Sequence, residues 1–385
     1  MRRAVVGGCA LGLASGWNIA NTGAVAGQLA DSYGVALATV GLFTTALFVT
    51  HLLMQIPGGW ASDRFGPRRM GLLGLALIGV GNAIALAESL PALAIATRAL
   101  MGIGTGLAFV AGSDYVRAAG GSPFAQGLYG GVGIGGGGLA LVAVPEAESV
   151  VGWRAPFVTA LAVAGIAFLA LLVSPRDTSQ HRRHEAHVPP SALFADSRLY
   201  RSAALHATSF GLSVVLGNWV VTLLVRGGGE AKGTAGAVGA LTLLLGIVTR
   251  PLGGWILRHR PERIRATVAA SILAGAAGTV CLSAARPLPL AIVGAALVGL
   301  ASGMPFAVAF TAAARTRPEA PATAVGFVNG ASALVIVAGT PLLGLSFSAH
   351  GNGRLAFLAV AALWASALLA LPSERELGTA RTPPR

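Results

Sequence analysis

The stretch Gln55-Ile-Pro-Gly-Gly-Trp-Ala-Ser-Asp-Arg-Phe-Gly-Pro-Arg-Arg69 decides the fold class of this chain. It lies between two long apolar runs, the second beginning at Met70, and it gathers three arginines and one aspartate. Charges concentrated between two such runs are typical of a membrane–water boundary. We therefore interpret the stretch as a short turn that joins two membrane-spanning helices.

The composition supports a membrane protein with many spans. Of 385 residues, 54% are apolar and 11% are charged, and the mean hydropathy is +0.73. The charges fall in short clusters between apolar runs of about 20 residues, the length of a helix that crosses a bilayer. The net charge of +13 then reflects arginines in loops, so we expect the lipid bilayer and no nucleic acid as a partner. The spacing of Cys9 and Cys281 indicates neither a disulfide framework nor a metal site.

Twelve apolar runs predict twelve spans and a division into two halves. The predicted spans are about 4–28, 37–60, 70–88, 91–113, 125–145, 152–174, 200–225, 234–257, 266–285, 288–314, 322–347 and 353–372. We predict an N-terminal six-helix bundle at 1–174, a cytoplasmic linker at 175–199, a C-terminal six-helix bundle at 200–372 and a cytoplasmic tail at 373–385. We interpret the first run as a retained helix rather than a cleaved signal peptide.

The distribution of basic residues predicts the orientation. Twelve spans place both termini on one side, where most arginines fall, whereas the opposite loops hold Arg154, Arg226, Lys232, Arg286 and Arg354. Basic residues mark the cytoplasmic side. We therefore expect a multi-pass protein of the cell (inner) membrane, with both termini and the central linker in the cytoplasm.

The two halves repeat each other. Gly58-Gly59-Trp60 recurs as Gly253-Gly254-Trp255, and Arg154 and Phe157 recur as Arg354 and Phe357. Such a parallel repeat is typical of transporters built from two related bundles, with the substrate site between them.

The motifs resemble those of the major facilitator superfamily along essentially the whole chain. The helix 2–3 loop pattern Gly-x-x-x-Asp-Arg-x-Gly-x-Arg-Arg is filled by Gly59, Asp63, Arg64, Gly66, Arg68 and Arg69, with Pro67 at a position that is more often basic. Arg98 with its spaced glycines resembles the helix 4 motif, and the glycines of 127–138 resemble the helix 5 motif. The resemblance implies an all-α membrane protein with two pseudo-symmetric six-helix bundles around a central cavity, working as a monomeric secondary transporter without a cofactor and not as an enzyme.

The resemblance also implies a conformational latch on the cytoplasmic side. In the family an acid on helix 2, a basic residue of the loop and an acid near the end of helix 4 close that face. These roles would fall to Asp63, to Arg64 or Arg68, and to Asp114. The corresponding loop of the second half carries Arg258 where an acid is expected. The alternative reading of all these residues is ordinary interfacial charge near the headgroups.

Arg250 is the leading candidate for substrate binding. It lies within the eighth span, and an arginine inside hydrocarbon is costly unless it faces a polar site. Its guanidinium can bind a planar oxyanion with two hydrogen bonds, whereas the alternative is snorkelling toward the cytoplasm. The Arg-Pro-x-Gly-Gly context resembles the nitrate/nitrite porter branch, which uses one arginine from each half. The register partner of Arg250 is Gln55, so the second arginine is absent.

Further polar residues at membrane depth are candidates for substrate contact. The neutral residues can instead hydrogen-bond between helices, His51 can be a hydrogen-bonded packing residue, and Arg98 can instead couple the conformational change or snorkel to the outer interface. The candidates are Asn18, Asn21, His51, Arg98, Tyr129, Asn218, Trp219 and Asn329.

No Asp or Glu falls clearly in mid-membrane, so a coupling proton would have to use His51, or transport proceeds by exchange or facilitated diffusion. We predict a secondary active transporter that moves a small solute, with a small anion or organic acid favoured, by alternating access. The alternatives are an efflux pump for drugs or other amphipathic compounds and, from another class, a non-transporting membrane sensor on the same fold. The sequence predicts no catalytic residue and no bound metal.

Overall fold

The chain folds into helices joined by short turns. The computed structural model describes residues 2–175, 190–348, 353–373 and Glu376, and this part of the chain contains no strand. Its α-helices are α1 (Arg2–Ala20), α2 (Ala26–Tyr33), α3 (Leu37–Phe65), α4 (Pro67–Ala85), α5 (Pro91–Ala118), α6 (Pro123–Val151), α7 (Ala155–Leu172), α8 (Pro190–Phe194), α9 (Ser197–His206), α10 (Ser213–Leu223), α11 (Lys232–Leu244), α12 (Gly246–His259), α13 (Pro261–Ser283), α14 (Leu288–Gly303), α15 (Pro305–Thr316), α16 (Pro321–Leu345) and α17 (Arg354–Ser366). Short 3₁₀ turns occupy Gly23–Val25, Gly152–Arg154, Ser346–Ser348 and Ala367–Ala370, and π-helical turns occupy Ala207–Leu212 and Leu224–Gly228.

Most of these helices are suited to a bilayer. Within the described residues, nine continuous helical stretches are long and apolar enough to cross a membrane. One of them, Pro123–Leu172, is 50 residues long and turns at Gly152, where φ is +59°. The twelve predicted spans therefore correspond in position to these nine stretches, the second pass of Pro123–Leu172, α1, and the shorter apolar helix Arg354–Ala370.

Helix boundaries differ from the sequence-based prediction at several places. The turn between the second and third spans is confined to Gly66, whose φ is +94°, because α3 continues to Phe65 and α4 begins with Pro67. Proline suits the first turn of a helix, where its missing N–H is not needed. The first predicted span ends early, since α1 stops at Ala20 and a 3₁₀ turn precedes α2. The tenth predicted span is divided in two at Met304, immediately before Pro305.

The described chain forms two compact units. The first consists of residues 2–121, 132–175 and 319–326. Within it, α5 packs against α1, α3 and α4, and α7 packs against α1 and α4. Gly74 and Gly104 allow α4 and α5 to touch, because a Cβ on either glycine would lie within 3 Å of the backbone of the other helix. Small residues at such contacts are the usual solution in membrane proteins.

The second unit consists of residues 122–131, 190–318, 327–348 and 353–373, with Glu376. Within it, α14 packs against α11, α12 and α13, while α17 packs against α13 and α15 packs against α9 and α12. The predicted division into bundles at 1–174 and 200–372 stays a prediction. Residues 176–189 of the predicted linker and most of the predicted tail lie outside the described residues.

Candidate functional site

Arg250 lies buried in the second unit. It is 1% exposed on α12, and its Nη1 donates a 2.8 Å hydrogen bond to the carbonyl oxygen of Gly130. The chain segment that carries Gly130 approaches closely because it is rich in glycine: a Cβ on Gly127 would lie 2.2 Å from the Arg250 carbonyl oxygen. Arg250 is therefore tightly packed against the segment that carries Gly127 and Gly130.

Two aromatic rings cover the guanidinium of Arg250. Its Cζ lies 4.3 Å from the ring centre of Phe306 and 4.7 Å from that of Phe210. Phe306 follows Pro305 at the start of α15, and Phe210 lies on the π-helical turn Ala207–Leu212. Such turns are frequent at functional sites. The rings stabilise the positive charge through their faces and hold the guanidinium plane in place.

Among the described residues, no carboxylate neutralises the charge of Arg250. In the part of the chain that the structure describes, Arg250 forms no ion pair, and its Nε and Nη2 have no hydrogen-bond partner. A buried cation with two open N–H donors is costly unless a ligand supplies the acceptors. The geometry can therefore bind an anion through a pair of hydrogen bonds.

Two of the predicted candidates in the second unit, Tyr129 and Asn329, lie close to residues that contact Arg250. Tyr129 is fully buried and directly precedes Gly130, whose carbonyl accepts the hydrogen bond from Arg250. Asn329 on α16 is 4% exposed, and its Oδ1 lies 3.2 Å from Nε2 of His206. His206 in turn packs against Phe210 and Phe306, the two rings that cover Arg250. Arg250, Tyr129 and Asn329 thus belong to one polar and aromatic cluster.

Asn218 and Trp219 form hydrogen bonds with Thr340 in another part of the same unit. Asn218 Nδ2 donates to Thr340 Oγ1 at 3.1 Å, and Trp219 Nε1 donates to the Thr340 carbonyl at 2.7 Å. The Trp219 ring stacks on Phe347 with a centroid separation of 5.3 Å. These contacts join α10 to α16, which is the interhelical alternative that the sequence left open.

The remaining candidates form a separate network in the first unit. Arg98 is fully buried; its Nη1 donates to Asn21 Oδ1 at 3.2 Å and its Nε to the Phe43 carbonyl at 3.4 Å. Asn21 also donates to the Pro156 carbonyl at 2.8 Å. Within the described residues, Nη2 of Arg98 has no hydrogen-bond partner. Arg98 is thus a second buried cation, but most of its donors bond to protein.

Asn18 and His51 also bond within the first unit. Asn18 donates to the Ala14 carbonyl and accepts from Asn82 Nδ2, both at 2.9 Å. His51 Nδ1 lies 3.0 Å from Thr105 Oγ1. Both side chains therefore have polar protein partners, and their contact with substrate stays a prediction.

The acids of the predicted latch have defined partners in the first unit. Asp63 accepts hydrogen bonds from the backbone N–H groups of Ala322 and Thr323, at 3.0 and 2.8 Å, and from Thr323 Oγ1 at 2.5 Å. A carboxylate at the start of a helix, here α16, is favoured by the open N–H groups and the helix dipole. Asp114 pairs with Arg117 at 2.5 Å and accepts from Ser62 at 3.1 Å.

The basic residues of the predicted latch contact aromatic rings and backbone carbonyls. Arg64 lies over the rings of Trp60 and Phe65, at 5.3 and 5.5 Å. Arg68 donates to the carbonyls of Leu171 and Leu172 at 3.3 and 2.8 Å. The latch role of Asp63, Arg64, Arg68 and Asp114 stays a prediction.

Sequence reasoning did not single out His206, although it is fully buried. A histidine within the predicted span 200–225 was a usable signal, because an ionisable residue at membrane depth is a functional candidate by default. Phe210 was also missed, since no local pattern distinguishes a ring that covers an arginine from one that faces lipid.

The comparison with known families identifies the chain. The profile of the Major Facilitator Superfamily matches residues 7–339. The chain belongs to the major facilitator superfamily. It is therefore a multi-pass membrane transporter and not an enzyme.

Relatives of this transporter include proteins named for anions. It is 32% identical over 342 residues to the probable nitrate/nitrite transporter NarK2 of Mycobacterium tuberculosis, covering 82% of this chain and 80% of the relative. It is 29% identical over 148 residues to the probable sulfoacetate transporter SauU of Cupriavidus necator, covering 37% and 34% of the two chains.

Solved structures agree with the fold. The structure of the human organic anion transporter MFSD10 (TETRAN) matches with a TM-score of 0.75 at 17% identity, covering 96% of this chain and 99% of that one. The E. coli fucose:proton symporter FucP (N162A) matches with a TM-score of 0.69 at 16% identity, covering 97% and 98%. At these identities the likeness concerns the fold alone.

Proposed function

We propose that this transporter carries a small anion or organic acid across the cell membrane by alternating access, and that Arg250 binds it. The observation that carries the proposal is the state of Arg250: a buried guanidinium with no ion pair and two open donors in the described part of the chain. A permanently charged group in such a place requires compensation, and an anionic substrate supplies it.

The surroundings of Arg250 favour a compact oxyanion. Phe210 and Phe306 cover the guanidinium, and its Nη1 is fixed by Gly130, so Nε and Nη2 remain to donate. Two donors in fixed positions match two oxygens of a nitrate, carboxylate or sulfonate group. The aromatic rings exclude water, and this strengthens the charge-assisted hydrogen bonds.

The names of the relatives support an anionic substrate but do not identify the anion. NarK2 is named for nitrate and nitrite, and SauU for sulfoacetate. The position that would supply a second arginine in this chain is Gln55, whose Nε2 donates to the His51 carbonyl at 3.0 Å. We therefore keep the proposal at the class of small anions and organic acids rather than at nitrate.

We further propose the location, the orientation and the oligomeric state that the sequence predicts. The protein lies in the cell membrane with its termini and central linker in the cytoplasm, works as a monomer, and binds a small-molecule substrate together with, at most, a coupling ion. An efflux pump for amphipathic compounds is the rival function, and the experiment below separates the two.

The test measures ligand-induced thermal stabilisation of the purified full chain with nitrate, methanesulfonate, acetate, benzoate and a hydrophobic drug. A ligand that binds the native state raises the melting temperature by mass action. We expect an anion to stabilise the wild type and not Arg250→Gln, while Arg250→Lys binds more weakly because lysine lacks the planar fork. Arg258→Gln, an exposed change on the same helix, is the matched control and should behave as the wild type.

Stabilisation by the hydrophobic drug alone, with no change in Arg250→Gln, would contradict the anion proposal and favour the efflux pump. If no compound stabilises the protein, flux of the same anions into proteoliposomes decides the matter. Absence of Arg250-dependent flux would overturn the proposal.

A further inference from the structure

His206 has a buried nitrogen without a partner beside the proposed anion site. Its ring is fully buried, and its Nε2 lies 3.2 Å from Asn329 Oδ1. Because an amide oxygen accepts, Nε2 carries the hydrogen, and Nδ1 of the neutral ring then presents a lone pair. Nδ1 has no hydrogen-bond partner within the described residues.

The same aromatic residues hold His206 and Arg250. The His206 ring is stacked on Phe210 at 5.5 Å with an interplanar angle of 18°, and it meets the edge of Phe306 at 5.6 Å. Both of these rings also cover the Arg250 guanidinium. His206 and Arg250 are therefore neighbours in one cluster, and they interact electrostatically.

We propose that His206 takes up a proton on Nδ1 when an anion binds to Arg250, so that the transporter carries the anion together with a proton. The proposal rests on the proposed function of the same site. The step breaks no covalent bond: a proton from water binds to the Nδ1 lone pair, the imidazole becomes imidazolium, and the proton leaves again when the anion does.

Electrostatics couples the two events. In the empty site an imidazolium would place a second buried cation beside Arg250, which is unfavourable. A bound anion removes this repulsion and gives Nδ1–H an acceptor. Because linkage is reciprocal, an anion that favours protonation of His206 must bind more tightly when His206 is protonated.

The groups that surround His206 are compatible with proton uptake on its Nδ1. The charged group that acts on it is Arg250 of α12, while α16 contributes the neutral amide of Asn329, and α15 and the π-helical turn contribute phenyl rings. The titratable Tyr129 directly precedes Gly130, whose carbonyl accepts from Arg250. Among the described residues, no carboxylate is ion-paired with His206.

The structure thus changes which histidine is favoured for proton coupling. The sequence pointed to His51, but Nδ1 of His51 is bonded to Thr105 Oγ1 at 3.0 Å. Nδ1 of His206 is open in the described structure, and this ring, unlike that of His51, shares two aromatic residues with Arg250.

The experiment is calorimetric titration of the purified full chain with nitrate and with methanesulfonate, neither of which takes up protons itself near neutral pH. Each titration is repeated in buffers of different ionisation enthalpy, which gives the number of protons bound per anion. For the wild type we expect proton uptake and an affinity that falls as the pH rises, by up to about tenfold per pH unit. His206→Gln should bind the anion with no proton uptake and no pH dependence.

His259→Gln is the matched control, because His259 is an exposed histidine on α12, and it should take up protons as the wild type does. Arg250-dependent binding in the wild type without proton uptake would overturn this inference and leave the proposed function standing. Proton uptake that persists in His206→Gln would also overturn it. Absence of anion binding by the wild type would overturn both proposals. If His206→Gln does not fold, His206→Asn replaces it, and the wild-type proton count still tests the inference.

Discussion

Gly130→Ala is the substitution whose effect the structure specifies most directly. Gly130 supplies the carbonyl that holds Arg250 Nη1, and it touches the ring that covers the guanidinium. A Cβ at this position would lie 2.3 Å from Cε1 of Phe306 and 2.6 Å from two further ring atoms. Separations below 3 Å cannot be tolerated, so either the ring or the helix segment must move.

The size of the effect follows from the free-energy cost of displacing the Phe306 ring or the helix segment. Overpacking by one methyl group typically costs about 1–3 kcal/mol, and the cation–π contact that the ring would lose contributes about 0.5–2 kcal/mol. Alanine returns up to about 1 kcal/mol as a better helix former than glycine. The overpacking and helix-propensity contributions act on folding, and together they lower the free energy of unfolding by about 0–2 kcal/mol. The displaced ring weakens anion binding by about 0.5–2 kcal/mol, or about two- to thirtyfold in Kd.

The assay is calorimetric titration with nitrate or methanesulfonate, combined with thermal unfolding in detergent. Gly133→Ala is the matched control on the same helix, because the nearest atom to its added Cβ would be 3.7 Å away. We expect Gly133→Ala to bind as the wild type does. Wild-type affinity in Gly130→Ala, or an equal loss in Gly133→Ala, would refute the argument that Phe306 positions Arg250.

Two further predictions concern residues outside the anion site. Asp63→Asn should lower the free energy of unfolding by about 1–3 kcal/mol, because the amide NH₂ that replaces one carboxylate oxygen cannot accept from the backbone N–H and the hydroxyl of Thr323. Thermal unfolding checks this, with the exposed Glu88→Gln as control. Hydrogen bonding by Arg198, helped by Arg317, holds the pKa of Asp196 below its ordinary value. Asp196 therefore stabilises the fold at neutral pH and loses this effect as the pH falls below about 4. The difference in melting temperature between the wild type and Asp196→Asn should shrink as the pH falls below about 4, and a constant difference would contradict the ion-pair account.

The sequence predicted the number and position of the apolar segments well, because hydropathy over about 20 residues is a local property. The helix boundaries were predicted less well. The prediction placed the start of the third span at Met70, whereas α4 begins at Pro67 and a single glycine separates it from α3. Charged residues such as Asp63 and Arg64 can extend a membrane helix into the interface, and a hydropathy count then ends the helix too early.

The sequence by itself determined the membrane class, the helical fold, the repeat and the position of Arg250 within an apolar run. Each of these is set by residue type and spacing along one stretch of chain. Only the tertiary structure decided which polar groups are already satisfied. Asn18 bonds to Asn82, Asn21 bonds to Arg98, and Nδ1 of His206 is left open within the described residues. The physical reason is that a hydrogen bond depends on which helix faces meet, and Arg250 meets Gly130 across 120 residues of sequence.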